Sequence, residues 1–122
     1  MKNSLNWFEI VVTDMPKASA FYAAVVGKPL QLMTFQGTPH AVFAADGPGA
    51  ITGALVVDPA RKPAPGGTVI FLDVDRVELA VARAREAGGT IVQPPLSIGE
   101  HGTAAIIADR DGNHVGLHAP KS

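Results

Sequence analysis

The chain has 122 residues, 47% of them hydrophobic and 17% charged, and a formal net charge of −1. This length and apolar content favour one folded domain and exclude a disordered chain, while the near-neutral charge without a basic stripe argues against nucleic acid as a partner. The absence of cysteine excludes disulfides, thiolate catalysis and cysteine-bound zinc, and makes the cytoplasm the expected compartment. No apolar run approaches the ~20 residues that cross a membrane, and the N-terminal apolar run contains Glu9, so neither a membrane span nor a signal peptide is expected.

The first half of the chain predicts a strand, a helix and three further strands. The segment LNWFEIVV (residues 5–12) is rich in residues that favour strands. Asp14 then has the position of a helix cap, Pro16 lies in the first turn, and Gly27 ends the helix. The segments LQLMTF, HAVFAA and ITGALVV predict the three strands. Residues 58–67, with three prolines and two glycines, predict a linker.

The second half repeats this order of elements. TVIFLDV predicts a strand, Asp75 and Glu78 have the spacing of a helix-capping box, and TIVQ, TAAIIA and HVGLHA predict the last strands. Asp14 and Asp75 are 61 residues apart, which is half the chain and predicts two copies of one βαβββ unit. We therefore expect an α+β fold in a single domain. Its parts are module one (1–57), the linker (58–67) and module two (68–122).

The two histidines of the final segment, RDGNHVGLH, would suit a shared metal ion if this segment were a helix. The Asp-Gly pair before them predicts a tight turn into a strand instead. On a strand, His114 and His118 share a face but stand ~13 Å apart, at ~3.3 Å per residue. Metal–nitrogen bonds are ~2.1 Å long, so one zinc ion does not bind both histidines.

The paired βαβββ units, a first strand that leads into DMPKASAFY, and the final DRDGNHVGLH resemble the vicinal oxygen chelate superfamily. That superfamily includes glyoxalase I, bleomycin resistance proteins and extradiol dioxygenases, and NWFEI with the terminal GLH is similar to short bacterial glyoxalase-related members. The resemblance covers essentially the whole chain and implies that the modules form a half-open eight-stranded cup. It also implies a homodimer, with the first strand and the linker at or near the interface. Whether modules are exchanged between the two copies stays open.

The metal enzymes of this superfamily use four ligand positions around the cup, two on each module. By the resemblance these positions fall on Trp7, Gly53, Val69 (or Thr68, one register back) and Gly116. Trp, Gly and Val offer no side-chain ligand for a divalent ion. We therefore expect no bound metal and no cofactor, and the two glycines are expected to leave room for a substrate.

Glu9 is the residue of greatest chemical interest because it interrupts an apolar strand. Alternation along the strand predicts one face packed against the helices and one face in the cup. The helix face holds Phe8, Ile10 and Val12, and the cup face holds Trp7, Glu9 and Val11. A carboxylate in the cup row is expected either to pair with an arginine or with backbone donors, or to act as a general base or polar anchor for a ligand.

Residues of module two complete the predicted site. His118 is either a catalytic partner of Glu9 or a histidine hydrogen-bonded to the backbone. The loop SIGEHGT is expected to cover the pocket, and the arginines of the linker and the second helix are expected to be ordinary solvated residues. The candidate ligand-binding residues are Trp7, Glu9, Gly53, Phe71, His114, Gly116 and His118.

The leading functional hypothesis is the metal-independent binding of a small, partly apolar organic molecule, as in members of the bleomycin-resistance type. The alternative is a glyoxalase-related isomerase or lyase that uses Glu9 as a general base, with or without a metal held by non-standard ligands. A structural or interaction module is a third possibility. No membrane partner is expected.

Overall fold

The computed structural model describes residues 5–121 and confirms the predicted α+β fold of two βαβββ modules. Module one contains β1 (Trp7–Val11), α1 (Met15–Val26), β2 (Gln31–Phe35), β3 (Thr38–Val42) and β4 (Thr52–Val56). Module two contains β5 (Phe71–Asp73), α2 (Val77–Glu86), β6 (Thr90–Ser97), β7 (Thr103–Ala108) and β8 (His114–Ala119), with a short 3-10 turn at Gly99–His101. Within this part of the chain, neither helix is long and apolar enough to cross a membrane.

The eight strands form two open sheets of four strands, in the orders β1-β4-β3-β2 and β5-β8-β7-β6. In each sheet the first and last strands of the module are parallel neighbours, and the other pairs are antiparallel. Ile10 pairs with Leu55 in the first sheet, and Leu72 pairs with Leu117 in the second. Equivalent positions of the two modules are therefore 62 residues apart, one more than the helix caps predicted.

The start of α2 accounts for the extra residue and corrects the predicted capping box. The N-cap of α2 is Arg76, and no side chain caps this helix. In α1, by contrast, the carboxylate of Asp14 accepts a hydrogen bond from the N–H of Lys17 at 3.0 Å. The prediction for Asp75 was wrong because this residue lies one position before the N-cap, where its side chain makes no cap bond.

One hydrophobic core joins the two modules. Helices α1 and α2 contact each other, and buried residues from both sheets join them in a single cluster. Ile10 and Val12 belong to this cluster and are 6% and 1% exposed. Trp7, on the opposite face of the same strand, is 38% exposed. The predicted alternation of β1 is confirmed, and each sheet turns one face to the core and the other face outward.

The turn between β7 and β8 connects module two to module one through side-chain hydrogen bonds. The buried side chain of Asp109 accepts hydrogen bonds from the hydroxyl of Tyr22 (2.7 Å) and from the backbone N–H groups of Asp111 and Asn113 (2.9 Å each). Asn113 also donates from Nδ2 to the carbonyl oxygen of Val11 at 2.8 Å and to Asp109 at 2.9 Å. Its Oδ1 accepts from a backbone N–H of the linker at 3.1 Å. The turn predicted to lead into β8 is therefore also the junction of β1, α1 and the linker.

Candidate functional site

The outward face of the first sheet carries the main group of chemically active side chains. Strand partners in register share a face of the sheet, so the pairs Trp7–Thr52, Glu9–Ala54 and His40–Val56 identify the outward row of each strand. Ala54 and Val56 are 0% and 2% exposed and do not belong to the core cluster. Larger outward side chains must therefore cover these two small residues.

Glu9 is held by three neighbours on this face. The guanidinium of Arg61 donates from Nη2 to Oε1 of Glu9 at 2.7 Å, and the indole N–H of Trp7 donates to Oε2 at 3.3 Å. Nε2 of His40 lies 3.6 Å from Oε2 and forms an ion pair with it when the ring is protonated. Arg61 also donates from Nε to Oδ2 of Asp58 at 2.9 Å, so its guanidinium bridges two carboxylates.

The charge state of Glu9 follows from these contacts. The hydrogen bond from Arg61 is the largest influence and holds the pKa of Glu9 below its ordinary value, although partial burial acts in the opposite direction. The backbone N–H of Ala60, followed by Arg61, likewise lowers the pKa of Asp58. Both groups are therefore carboxylates at neutral pH, and Glu9 is a weaker base than a free glutamate.

Aromatic rings enclose this charged group. The rings of Trp7 and Phe35 meet edge to face with centroids 6.3 Å apart, and Phe35 makes a similar contact with His40 at 4.9 Å. We call Trp7, Glu9, Phe35, His40 and Arg61 the Glu9 cluster. Beside it lies a hollow of about 700 Å³, whose walls include Thr34, Phe35, His40, Val56, Asp58 and Arg61. The rings of Phe35 and His40 and the carboxylate of Asp58 border this hollow, and Arg61 and His40 connect it to Glu9.

The predicted residues of module two lie on the outward face of the second sheet. Phe71 pairs in register with Gly116, and His114 and His118 alternate with Gly116 along the same side of β8. The ring N–H at Nε2 of His118 donates to the carbonyl oxygen of His101 at 2.6 Å. This hydrogen bond therefore connects His118 to the segment between β6 and β7. The contacts of His118 lie within module two, and those of Glu9 lie within module one and the linker.

The two strand glycines occupy different faces, which corrects the placement of Gly53. Gly53 pairs with Phe8 in the core-facing row, and a Cβ there would overlap the ring of Phe8. Thr52, not Gly53, is the register partner of Trp7 on the outward face. Gly116 does lie on the outward face, but its open side is covered by the ring of Phe71, which is itself 50% exposed. Each glycine therefore accommodates a phenylalanine ring.

Comparison with known proteins identifies the family. The model of the Glyoxalase/Bleomycin resistance protein/Dioxygenase superfamily matches residues 4–117. The chain belongs to this superfamily. In sequence it is 27% identical over 109 residues to CFP32 of Mycobacterium bovis, provisionally named a glyoxylase. That match covers 89% of this chain but 41% of the relative, so the chain spans about two-fifths of the length of that protein.

Solved structures show the same fold. TnmS3, an antibiotic binding protein from Streptomyces sp. CB03234, has a TM-score of 0.66 and 28% identity, with 98% of each chain covered. A glyoxalase-related enzyme from Fulvimarina pelagi has a TM-score of 0.70 and 15% identity, covering 98% of this chain and 88% of its own. A glyoxalase/bleomycin resistance protein from Albidiferax ferrireducens T118 has a TM-score of 0.70 and 18% identity, covering 96% of this chain and 99% of its own.

The positions expected to carry metal ligands by the resemblance supply few side chains that bind a divalent ion. With the register of β1 and β4 corrected, the pair in module one is Trp7 and Thr52. In module two, the equivalent pair at the 62-residue spacing is Val69 and His114, of which only His114 has a metal-binding side chain. Within residues 5–121, no three His, Asp or Glu side chains converge on one point. The chemistry of the face is that of Glu9, Arg61 and the aromatic rings.

Sequence reasoning missed the role of Arg61, which was expected to be an ordinary solvated residue of the linker. The structure places its guanidinium on Glu9. A signal was present, because a carboxylate in an apolar row was expected to pair with an arginine, and Arg61 is the first arginine in the chain and lies in the linker that follows β4. Phe35 and His40 entered the sequence analysis only as the last residue of the segment LQLMTF and the first residue of HAVFAA.

Proposed function

We propose that this protein binds a small, partly apolar organic molecule on the outward face of the first sheet, without a metal. The observation that carries the proposal is the Glu9 cluster with the hollow beside it, which is bordered by the rings of Phe35 and His40, the carboxylate of Asp58 and the guanidinium of Arg61 that holds Glu9. Rings supply apolar contact area, and one charged group fixes the orientation of a ligand, which is the usual composition of a small-molecule site. The likeness to TnmS3, described as an antibiotic binding protein, supports the same reading.

The site is completed, in this proposal, by a second copy of the chain. The outward faces expose apolar side chains on both sheets, including Phe35 (41%) and Met33 (39%) on the first and Phe71 (50%) and Leu96 (52%) on the second. Strands β1 and β5 are sheet edges among the described residues, and open edges favour further association. If module one of one copy faces module two of the other, an eight-stranded cup forms. Phe71, His114 and His118 of one copy then lie opposite Trp7 and Glu9 of the other.

The alternative of an isomerase or lyase with Glu9 as general base is less well supported. A general base works best when its pKa lies near the working pH. Arg61 moves the pKa of Glu9 in the wrong direction for that role. Catalysis by Glu9 would first require the loss of its contact with Arg61, whereas ligand anchoring uses the charged carboxylate as it stands.

Fluorescence of Trp7, the only tryptophan in the chain, gives a direct test of binding. A panel of small aromatic molecules, including antibiotics, is titrated into the protein with and without EDTA. We expect at least one compound to change Trp7 emission equally in both conditions. The same compound should also raise the melting temperature, because a ligand at 100 times its dissociation constant adds ~2.7 kcal/mol to the free energy of unfolding. No response across the panel, or a response lost with EDTA, would contradict the proposal.

Two variants of equal exposure locate the site. Phe35→Ala removes an outward ring that is 41% exposed, and Leu79→Ala removes an apolar side chain of α2 that is also 41% exposed. We expect Phe35→Ala to weaken binding and Leu79→Ala to leave it unchanged.

Light scattering tests the proposed pairing of two copies and should give a mass near twice the 12.6 kDa of one chain. A monomer across the micromolar range would sink the two-copy cup while leaving the binding face to be judged by the titration.

A further inference from the structure

Arg61 occupies a position between two carboxylates on the proposed binding face. It donates to Oε1 of Glu9 at 2.7 Å and to Oδ2 of Asp58 at 2.9 Å. Its side chain is 47% exposed and comes from the linker rather than from a strand of the sheet. A half-exposed cation from the linker is thus held on a carboxylate of the first strand.

The surroundings of this guanidinium are those that recognise an organic cation. The carboxylates of Glu9 and Asp58 supply charge-assisted hydrogen bonds. The rings of Trp7 and Phe35, with centroids 6.3 Å apart, supply aromatic surface beside Glu9, and a cation near such surface is attracted by its negative face. Without Arg61, the two carboxylates would stand close to these rings with no guanidinium to balance them.

The contact between Arg61 and Glu9 is also one that can be exchanged. The bond between Arg61 and Asp58 is local, because the residues are three apart in the linker. A guanidinium that leaves Glu9 therefore keeps one carboxylate partner and gains access to water. Ion pairs with this degree of exposure contribute little net stability, so their replacement by a ligand costs little.

We propose that Arg61 is an intramolecular stand-in for the ligand and that the ligand is an organic cation. A protonated amine, amidine or guanidine on an apolar or aromatic body displaces Arg61 from Glu9, binds the carboxylate, and lays its body against Trp7 and Phe35. Arg61 then remains on Asp58 at the rim. This inference rests on the proposed function, since it names the class of molecule that the same face takes and the residue that competes with it.

Three probes with the same ring and different charge test the inference: benzamidine, benzamide and benzoate. Each is titrated against Trp7 fluorescence in the unaltered protein and in Arg61→Ala, Glu9→Gln and Lys62→Ala. Lys62→Ala is the matched control, because it removes a neighbouring linker cation that is exposed and thus the same formal charge. Melting curves of each variant establish that it is folded.

We expect benzamidine to bind more tightly than benzamide or benzoate. Arg61→Ala should tighten benzamidine by about fivefold, the order expected when a half-exposed ion pair no longer competes. Glu9→Gln should abolish the preference for the cation, and Lys62→Ala should change nothing. Weaker or unchanged benzamidine binding in Arg61→Ala, a preference for benzoate, or no benzamidine binding to that variant would each overturn the inference. If the three probes bind equally and Phe35→Ala weakens them all, the inference fails and the proposed function stands.

Discussion

Two polar clusters, each built around one acidic side chain, differ chiefly in burial. Asp109 is 6% exposed, and its carboxyl group accepts four hydrogen bonds, from Tyr22, the backbone of Asp111 and two groups of Asn113. The side chain of Glu9 is 27% exposed, and that of its closest partner, Arg61, is 47% exposed. Buried donors left without a partner are costly, whereas exposed ion pairs contribute little. Burial therefore makes the Asp109 group a fixed junction of the modules and leaves the Glu9 cluster able to change partners.

Removal of the Asp109 side chain should produce the largest effect on the free energy of unfolding. Asp109→Ala leaves the hydroxyl of Tyr22 and two backbone N–H groups without their acceptor, and the amide of Asn113 keeps only the carbonyl oxygen of Val11. We expect a loss of ~3–5 kcal/mol, as when one partner of a buried polar network is deleted. Urea unfolding followed by circular dichroism measures the change.

Asp46→Ala is the matched control for that prediction. Asp46 is also a paired carboxylate, 3.6 Å from Nζ of Lys28, but its side chain is 93% exposed. Its removal should leave the urea midpoint nearly unchanged, because fully exposed pairs add little stability. Equal losses in the two variants would mean that burial does not separate the clusters as we infer.

Tyr22→Phe should have an intermediate effect, because it removes one of the four donors and leaves the Asp109 carboxyl with three. We expect a loss of ~1–2 kcal/mol, measured by the same urea experiment. The ring itself packs against Phe21 and Phe43 at centroid distances of 5.0 and 5.6 Å, and Phe preserves both contacts. A loss as large as that of Asp109→Ala would show that the hydroxyl, rather than the backbone donors, dominates the junction.

The same hydroxyl gives a signature at alkaline pH. Burial, and then the nearby Asp109, raises the pKa of Tyr22 well above its ordinary value. A raised pKa in the folded state means that stability is complete below the unfolded value of ~10 and is lost as pH rises beyond it. Tyr22 is the only tyrosine, so tyrosinate absorbance should appear only as the protein unfolds. Titration of the phenol at pH ~10 with the fold intact would contradict this.

Local patterns in the sequence predicted the fold well. Helix α1 has both a capping Asp14 and a terminal Gly27 in the left-handed region (φ 77°), so its ends were predictable from two residues. Strand β6 was predicted too short, because Pro94 and Pro95 interrupt its pattern. It extends through them to Ser97 because β6 is an edge strand, where a missing N–H is tolerated, and bulges at this part of the β6–β7 pairing absorb the mismatch.

The candidate site was less predictable, for a physical reason. Alternation predicts which face a side chain takes, and it placed Trp7 and Glu9 correctly on the outward row of β1. It does not supply the register between strands, and a slip of one residue moved Gly53 to the wrong face. Alternation also does not predict the position of a side chain in the linker. The contact of Arg61 with Glu9 was therefore found only in the structure.

The smallest expected change in stability is that of Glu9→Gln, and its small size distinguishes the two clusters. A buried structural ion pair broken by this change would cost ~3–5 kcal/mol, because the partner is left charged and alone. Arg61 is half-exposed and keeps Asp58, so we expect a change below ~1 kcal/mol at neutral pH. Glutamine keeps the shape of the side chain and leaves no cavity.

The pH dependence of that small difference follows from the lowered pKa of Glu9. A group whose pKa is depressed on folding contributes stability above its unfolded value, ~4.3 for glutamate, and this contribution is lost as pH falls through the folded value. The melting temperatures of the unaltered protein and Glu9→Gln should therefore converge below pH ~4. Glu9→Gln should lower the affinity for ligand although it hardly changes the free energy of unfolding, because the variant is expected to fold normally yet bind poorly. A loss of several kcal/mol with unchanged binding would instead assign Glu9 to the same structural role as Asp109.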